Sequence, residues 1–529
     1  MLGLELVVAI GLATLLTKIV ARKTGIAQPL LLVAIGALIG LIPAFRDVAL
    51  APEVVLFLFL PALLYWESLT TSLREIRHNI RNIILNATGL VFLTAGAVAV
   101  LAHSLGMPWG PAWVLGAAVA PTDATAVTSL TRALPRRNVT ILKAESLVND
   151  GTALVLWSLA VGFTVGETEV HAGTITVAFL LAVLGGGAAG GLVAWLSILA
   201  RKRLRDALTQ NLAMLLTPFA AYLIAEAIHA SGVLAVVVAG LILSQAGPRI
   251  GLAEARRQTD AFWSLATFLL NASLFVLVGT EFPIAVRSLV STDLWMALGA
   301  VFAVSALIVA VRFAWLFGTA YFLRLVDRRP IQRERRLTNR ARVVSGFSGF
   351  RGAVSLAAAL AVPASVGSGQ PFPHRDLIVF VVTGVIVVTL AVQGLILPAL
   401  VRWAKLEPDP SEDEERRLGE EKALEAALDS LPSLAAEIGV DDEIAERVRA
   451  EYEEHRQLLE AEEDEHEGET TLERDRQATE LRLAMLERKR QAVLDLRDEG
   501  RIDDIVLRDL QRRIDVEEVR LSGAEPGGV

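Results

Sequence analysis

Helix-length apolar stretches recur through the first four hundred positions, at 2–20, 27–44, 52–69, 80–102, 111–131, 139–163, 173–200, 208–229, 231–246, 260–282, 292–323, 343–363 and 376–403. A helix needs roughly 20 apolar residues to cross the ~30 Å hydrocarbon core of a bilayer. The pattern therefore predicts an all-α, polytopic membrane protein with about 13 transmembrane helices. Basic clusters fall between alternate stretches: Arg22/Lys23, Arg74/Arg77/Arg81, Arg132/Arg136/Arg137, Arg201/Lys202/Arg203/Arg205, Arg249/Arg256/Arg257 and the dense Arg324–Arg342 segment. The intervening connections are poor in bases, and Thr164–Ala172 is acidic. By the positive-inside rule the protein sits in the cell membrane with its N-terminus outside and its C-terminus cytoplasmic. Met1–Val20 carries Glu5 early and lacks a basic leader and a small-residue cleavage site, so it reads as a retained first span.

Past residue 403 the periodicity changes. A proline-punctuated linker, 404–411, leads into a cytoplasmic helical tail, 412–529, with charged helices over Glu412–Leu431 and Asp441–Leu459. Leu472–Asp498 and Ile502–Leu521, joined at Glu499-Gly500, have the spacing of a helical hairpin, while Ala461–Thr471 reads as a loose acidic run. The tail shows no phosphate loop, metal cluster or nucleic-acid motif, which suits a regulatory or oligomerising module whose ligand or protein partner the sequence leaves unknown.

An odd span count permits two six-span halves of opposite orientation, spans one to six and eight to thirteen, joined by the seventh. Inverted repeats with interrupted helices at matching positions mark binding sites in membrane transporters. The matching pair here is spans five and twelve. Span five contains Ala120-Pro-Thr-Asp-Ala-Thr-Ala126, in which Pro121 removes a backbone donor just before Thr122 and Asp123. Span twelve contains Ser345-Gly-Phe-Ser-Gly-Phe-Arg-Gly352, where Gly349 and Gly352 flank Arg351. Backbone freed by such breaks is tolerated in a membrane only where it lines a cavity or is buried in protein.

Span six carries the densest polar set, in Lys143-Ala-Glu-Ser-Leu-Val-Asn-Asp-Gly151. At about 100° per residue, Glu145 and Asn149 lie together on one strip, and Ser146 and Asp150 form a second strip beside them. Asn149-Asp150-Gly151 is also turn chemistry, but a turn there would leave Thr152–Phe163 too short to cross. Intramembrane acids are costly and generally mark an ion path. Glu67 at the end of span three fits either that role or a snorkelling surface acid. Arg312, mid-span in the eleventh stretch, requires a buried acidic partner. Glu226, His229 and Glu281 read as interfacial.

Charge divides the chain in two. Residues 404–529 carry 39 acidic and 19 basic side chains, against 19 and 31 in residues 1–403. The 529-residue chain has no cysteine, which excludes disulfides, thiolate metal sites and cysteine nucleophiles.

Five segments together resemble the NhaP and Na+/H+ exchanger branch of the monovalent cation:proton antiporters: Pro61-Ala-Leu-Leu-Tyr-Trp-Glu67, Pro121-Thr-Asp123, Glu145-Ser-Leu-Val-Asn-Asp150, Ser231–Gly240 and Gly349-Phe-Arg-Gly-Ala-Val354. The resemblance covers residues 1–403. It implies a homodimer whose protomer has a dimerisation part (1–69 and 208–282), a mobile core (80–163 and 292–403) and a linker helix (173–200), with two broken helices crossing in the core. By the same resemblance Asp150 and Glu67 hold Na+, Asp150 alternating between cation and proton; Ser146 and Thr122 supply neutral oxygens; Asn149 stands beside the ion. Glu145 pairs with Arg312, and Asp123, Arg351, Gly349 and Gly352 sit at the crossed breaks. Proline precedes the threonine here, as Pro121, and Ala124 follows Asp123, where the family motif has Asp-Pro.

The implied activity is exchange of Na+ for H+ by alternating access in the service of pH homeostasis, without a cofactor, a catalytic residue or nucleic acid. Burial penalises an empty charged carboxylate, so a proton and a hard cation compete for it. Asn149 stands where electrogenic relatives carry a second Asp, which favours electroneutral one-for-one stoichiometry. K+ or Li+ exchange, a cation channel, a membrane sensor with the tail as output, and an intramembrane protease using Asp123 and Asp150 are the competing readings. The last lacks any catalytic sequence around either acid.

Overall fold

The computed structural model describes residues 2–43, 54–123, 136–166, 172–289, 294–326, 338–406, 411–461, 469–499, 501 and 503–522. Residues 124–131 of predicted span five, Arg132, most of the Arg324–Arg342 segment, residues 407–410 of the 404–411 linker and residues 462–468 of the acidic run lie outside them. The regular structure among the described residues is helical, with one isolated bridge between Ser365 and Pro371. It divides into two compact units, residues 1–408 and 409–529.

In the first unit α1 is Leu2–Thr24, α2 Gln28–Leu41 and α3 Val55–Thr70. Next come α4 (Leu73–Ile84), α5 (Leu85–Ser104), α6 (Trp109–Val119) and α7 (Arg136–Val165). The second half comprises α8 (Ala172–Arg203), α9 (Ala207–Ala227), α10 (Gly232–Ile250), α11 (Ala253–Ser288) and α12 (Leu294–Val326), followed by α13 (Asn339–Phe347), α14 (Ala353–Leu360) and α15 (Arg375–Ala404). Among the described residues nine helices are long and apolar enough to cross a bilayer alone. At the four other predicted places lie the shorter apolar helices α2 and α6, the span α3, and the interrupted pair α13–α14.

Polar caps set several helix starts. The Asp206 carboxylate accepts from Thr209 N (2.9 Å), the Ser231 hydroxyl from Leu234 N (3.3 Å) and the Thr338 hydroxyl from Ala341 N (3.1 Å). In the first of these, the Thr209 hydrogen bonds hold the Asp206 carboxyl below its ordinary range. One predicted loop is a helix. Arg74, Arg77 and Arg81 lie on α4, which turns 92° from α3 at Thr71-Ser72. Basic residues at i, i+3 and i+7, with Ile76 and Ile83 buried against Ala144 on the opposite side, make this segment amphipathic; charge density alone had marked it as a connection.

Without a hydrophobic force between helices in lipid, close packing depends on small residues. α11 packs on α2 in this way: a methyl group at Gly36 would strike Val276 O, and one at Gly279 would strike Val33 O. These contacts fix α2 and α11 as a pair, and α11 in turn is held to α3 by Trp263, whose ring stacks on Trp66 (centroids 6.2 Å, 9°) and lies 5.7 Å from Tyr65.

The second unit contains α16 (Ser411–Ile438), α17 (Asp442–Ala461), α18 (Glu469–Asp498) and α19 (Asp504–Ser522). α16 runs past its predicted end at Leu431 and through Pro432, and Glu469–Thr471, predicted loose, belong to α18. α18 and α19 form a hairpin, in which Arg490 pairs with Asp515 at 3.0 Å and also with Glu518. Those carboxylates, with Glu487, hold the Arg490 guanidinium charged by raising it further above its usual range.

Candidate functional site

α7 is continuous from Arg136 to Val165, so Asn149-Asp150-Gly151 lies within a helix and the turn reading fails. Gly151 has a packing reason instead: a Cβ there would come within 2.7 Å of Leu234 Cδ2 on α10. The helix presents its polar residues as two strips. Ser146 and Asp150 line a cavity of about 40 Å3, together with Leu60, Leu63, Leu64 and Glu67 of α3, Pro121, Thr122 and Asp123 after α6, and Asn271 of α11. Gly352 and the first turn of α14, Ala353 to Ser355, complete the wall. Glu145 and Asn149 are buried but do not line it.

The cavity forms where two helices stop. α6 ends at Val119, and residues 120–123 continue without helical hydrogen bonding. Opposite it, residues 348–352 separate α13 from α14. The two interruptions bond to each other: Asp123 N donates to Phe350 O (2.8 Å), and Arg351 Nε donates to Val119 O (2.8 Å), a carbonyl freed where α6 ends. Arg351 Nη1 also donates to Gly349 O at 2.5 Å. Glycine is required at 352, because a Cβ there would collide with the Asp123 carboxylate. A Cβ at Gly349 would sit 2.8 Å from Arg312 Cδ.

α7 supports the first break from behind. Ser146 Oγ donates to Thr122 O (2.7 Å), and Asn149 Nδ2 donates to Thr122 Oγ1 (2.6 Å). The amide predicted to stand beside an ion thus stands behind the threonine and orients its hydroxyl. Deeper in the core, Arg312 Nη1 meets Glu145 Oε1 at 2.8 Å, both side chains being 4% exposed or less, and Arg312 Nε donates to Ser345 O at 3.0 Å. The buried acidic partner required by Arg312 is therefore Glu145.

Asp150 Oδ1 and Glu67 Oε1 are buried oxygens with no hydrogen-bond partner, and both side chains line the cavity. That placement removes the snorkelling alternative for Glu67. The structure thus gathers Glu67, Thr122, Asp123, Ser146, Asp150 and Gly352 at one cavity. It sets Asn149, Glu145, Arg312, Arg351 and Gly349 outside the lining. Two lining residues, Asn271 and Ser355, were missed in the sequence. Asn271 is a lone amide within Phe268–Val276, the only available signal, while Ser355 is an ordinary helical serine on its sequence alone.

With this geometry in hand, comparisons with known proteins agree. Residues 11–403 match the family model described as sodium/hydrogen exchanger, transmembrane. The chain is 44% identical over 521 residues to an uncharacterised Na+/H+ exchanger of Mycobacterium tuberculosis, covering 98% of this chain and 96% of that protein. It is 32% identical to the low-affinity Na+/H+ antiporter of Synechocystis, over 73% of this chain and 71% of the relative. The solved sodium proton antiporter of Methanocaldococcus jannaschii shares the fold at a TM-score of 0.55 and 20% identity, covering 76% of this chain and 99% of that one. The chain, an all-α polytopic membrane protein, belongs to the transmembrane sodium/hydrogen exchanger family.

Proposed function

We propose that this protein exchanges Na+ for H+ across the cell membrane, one for one, by exposing the Asp150 cavity alternately to each side. The observation that carries the proposal is the meeting of two unpartnered carboxylate oxygens, Asp150 Oδ1 and Glu67 Oε1, in a cavity at the junction of two interrupted helices. Hard monovalent cations prefer oxygen ligands, and a carboxylate that can hold either a cation or a proton is the minimal exchange site. Competition at one group couples the two fluxes without any further device.

The cavity's size favours a transporter over a channel. About 10–15 Å3 accommodates one water, so about 40 Å3 holds a partly dehydrated ion with a water or two rather than a continuous file. The names of the Synechocystis and Methanocaldococcus relatives specify Na+, which supports sodium over potassium as the cargo here. In this reading the protein works as a homodimer with its C-terminal tail in the cytoplasm; α3 and α11 belong to the dimerisation part, and α6, α7, α13 and α14 to the mobile core. Nothing in the mechanism calls for a resident cofactor or for catalytic chemistry.

Asp150→Asn is the direct test, since it keeps the side chain's shape and removes its titration. Everted vesicles carrying the variant should show no Na+-dependent proton movement while the purified protein stays folded and dimeric. Retained Na+-dependent proton flux would overturn the assignment of Asp150.

A further inference from the structure

Two neutral polar side chains line the same cavity from two different helices, and the exchange reading gives neither a role. Ser355 lies in the first turn of α14, three residues past Gly352. Its side chain is 1% exposed, yet its hydroxyl has no hydrogen-bond partner. Helical serines and threonines can bond back to the carbonyl four residues earlier, and nearby buried ones do: Ser348 Oγ donates to Val344 O (2.8 Å) and Thr152 Oγ1 to Val148 O (2.9 Å). Ser355 lines the cavity instead.

Asn271 shows the same contrast on α11. Its neighbours Thr267 and Ser273 donate to Trp263 O (2.6 Å) and Leu269 O (2.7 Å), whereas Asn271 makes no hydrogen bond to any described residue. An amide placed in an apolar membrane helix is expensive unless something satisfies it. Because Trp263 locks α11 against Tyr65 and Trp66 of α3, Asn271 keeps a fixed spacing from Glu67.

We propose that Ser355 Oγ and Asn271 Oδ1 are cation ligands that set which alkali cation the site prefers, an assignment that rests on the exchange reading above. The chemistry separates them from the acids. A carboxylate binds a proton as well as a cation, but a hydroxyl or amide oxygen does not take up a proton near neutral pH. Neutral ligands therefore strengthen cation binding without strengthening its competitor. Because one comes from the α14 wall and the other from the α11 wall, the gap between the walls selects the ionic radius.

The test uses the full chain reconstituted in proteoliposomes, with proton flux driven by Na+, Li+ or K+ over a range of pH. Ser355→Ala and Asn271→Leu should each raise the KM for Na+ by about tenfold, the loss of one ligand interaction. The factor should differ among the three cations, and KM should rise more than kcat falls. Extrapolated to zero cation, the pH midpoint should match the wild type, because the titrating groups are untouched; at a fixed cation concentration it should move upward, because the weaker-bound cation competes less well. Ser355→Thr, which keeps the hydroxyl, should remain close to wild type. As a second readout, the purified variants should need correspondingly more Na+ for the same gain in thermal stability. KM values within about twofold of wild type for all three cations in both variants would overturn the proposal. So would a KM change equal for every cation accompanied by a shifted zero-cation pH midpoint, since that marks a structural effect. Wild-type protein that moves no protons against any of the three cations would instead overturn the exchange reading beneath it.

Discussion

The Glu145–Arg312 pair allows a double-substitution cycle whose outcome follows from its surroundings. Arg312 Nη1 and Glu145 Oε1 are 2.8 Å apart, with side chains 3% and 4% exposed. Two unit charges about 4 Å apart attract by about 4 kcal/mol at an effective dielectric of about 20, and removing one partner of a buried pair costs about 3–5 kcal/mol through the stranded charge. The two single substitutions are not equivalent. Arg351 is buried beside the pair: a Cβ at Gly349 would lie 2.8 Å from Arg312 Cδ and 3.2 Å from Arg351 Nη1. Glu145→Gln therefore leaves two guanidiniums without their acid, whereas Arg312→Met leaves Glu145 near Arg351. Arg312→Met also deletes the Nε bond to Ser345 O, worth about 1.5–3 kcal/mol for a charged donor. Both singles should melt well below wild type in detergent, by more than Asp150→Asn does. Joint substitution, Glu145→Gln with Arg312→Met, should recover part of the loss, because it removes the pair together; the Arg312 Nε bond to Ser345 O is still lost and Arg351 is still without a nearby acid, so recovery stops short of wild type. Thermal melts of membrane proteins are commonly irreversible, so the order of midpoints is the readout. A double variant that loses as much as the two singles added together would refute the coupling.

Gly352→Ala places a methyl group on the Asp123 carboxylate; overpacking of about 1–3 kcal/mol should appear as a lower melting midpoint together with lost proton flux, and wild-type flux would show that the Asp123–Gly352 contact is dispensable. One-for-one exchange moves no net charge, so wild-type flux should not respond to a valinomycin-clamped potential, and a steep voltage dependence would rule that stoichiometry out even with Asp150 as the ion site. Asn149→Asp removes the donor that holds Thr122 Oγ1 at 2.6 Å and crowds Asp150 with a like charge, so the two acids titrate jointly; the variant should be poorly active and not cleanly electrogenic, and vigorous voltage-driven exchange would contradict this.

Much of the site was legible because helical periodicity preserves neighbourhoods. The spacing on α7 grouped Ser146 with Asp150 and Glu145 with Asn149, and the structure keeps both groups. Which group faces the cavity depends on the packing of α3, α6 and α14 around α7, and one-helix periodicity carries no information about that. Asn149, expected beside the ion, has its amide nitrogen on Thr122 Oγ1, a contact that one-helix spacing does not reveal. The helical breaks could be read from Pro121 and from the glycines at 349 and 352, because those residues act on their own backbone. The 92° bend at Thr71-Ser72 could not, since charge density marked the next segment as a connection while the apolar side of α4 makes it a helix. Asn271 and Ser355 stayed hidden for a similar reason: a single polar residue on an apolar helix acquires meaning only from what stands opposite.

The hydrogen bonds around the breaks also bear on how the proposed exchange would move. Backbone groups freed at the two interruptions are satisfied within one assembly: Val119 O by Arg351, Thr122 O by Ser146, Phe350 O by Asp123 N, and Gly349 O by Arg351. The first three of these bonds tie α6, α7 and the α13–α14 junction together, and separating any of these elements would leave buried carbonyls unpaired at about 1–3 kcal/mol each. Toward α3 the cavity wall is different, being formed by Leu60, Leu63 and Leu64 around the single acid Glu67. Dispersion contacts of that kind are non-directional and individually small, so displacement along the wall replaces one set with another. The low-cost motion is therefore the whole assembly sliding past α3 and α11. In the exchange we propose, that displacement carries Asp150 from one side to the other while the ligands on α7 and α14 travel with it, and Glu67 and Asn271 stay with the fixed wall.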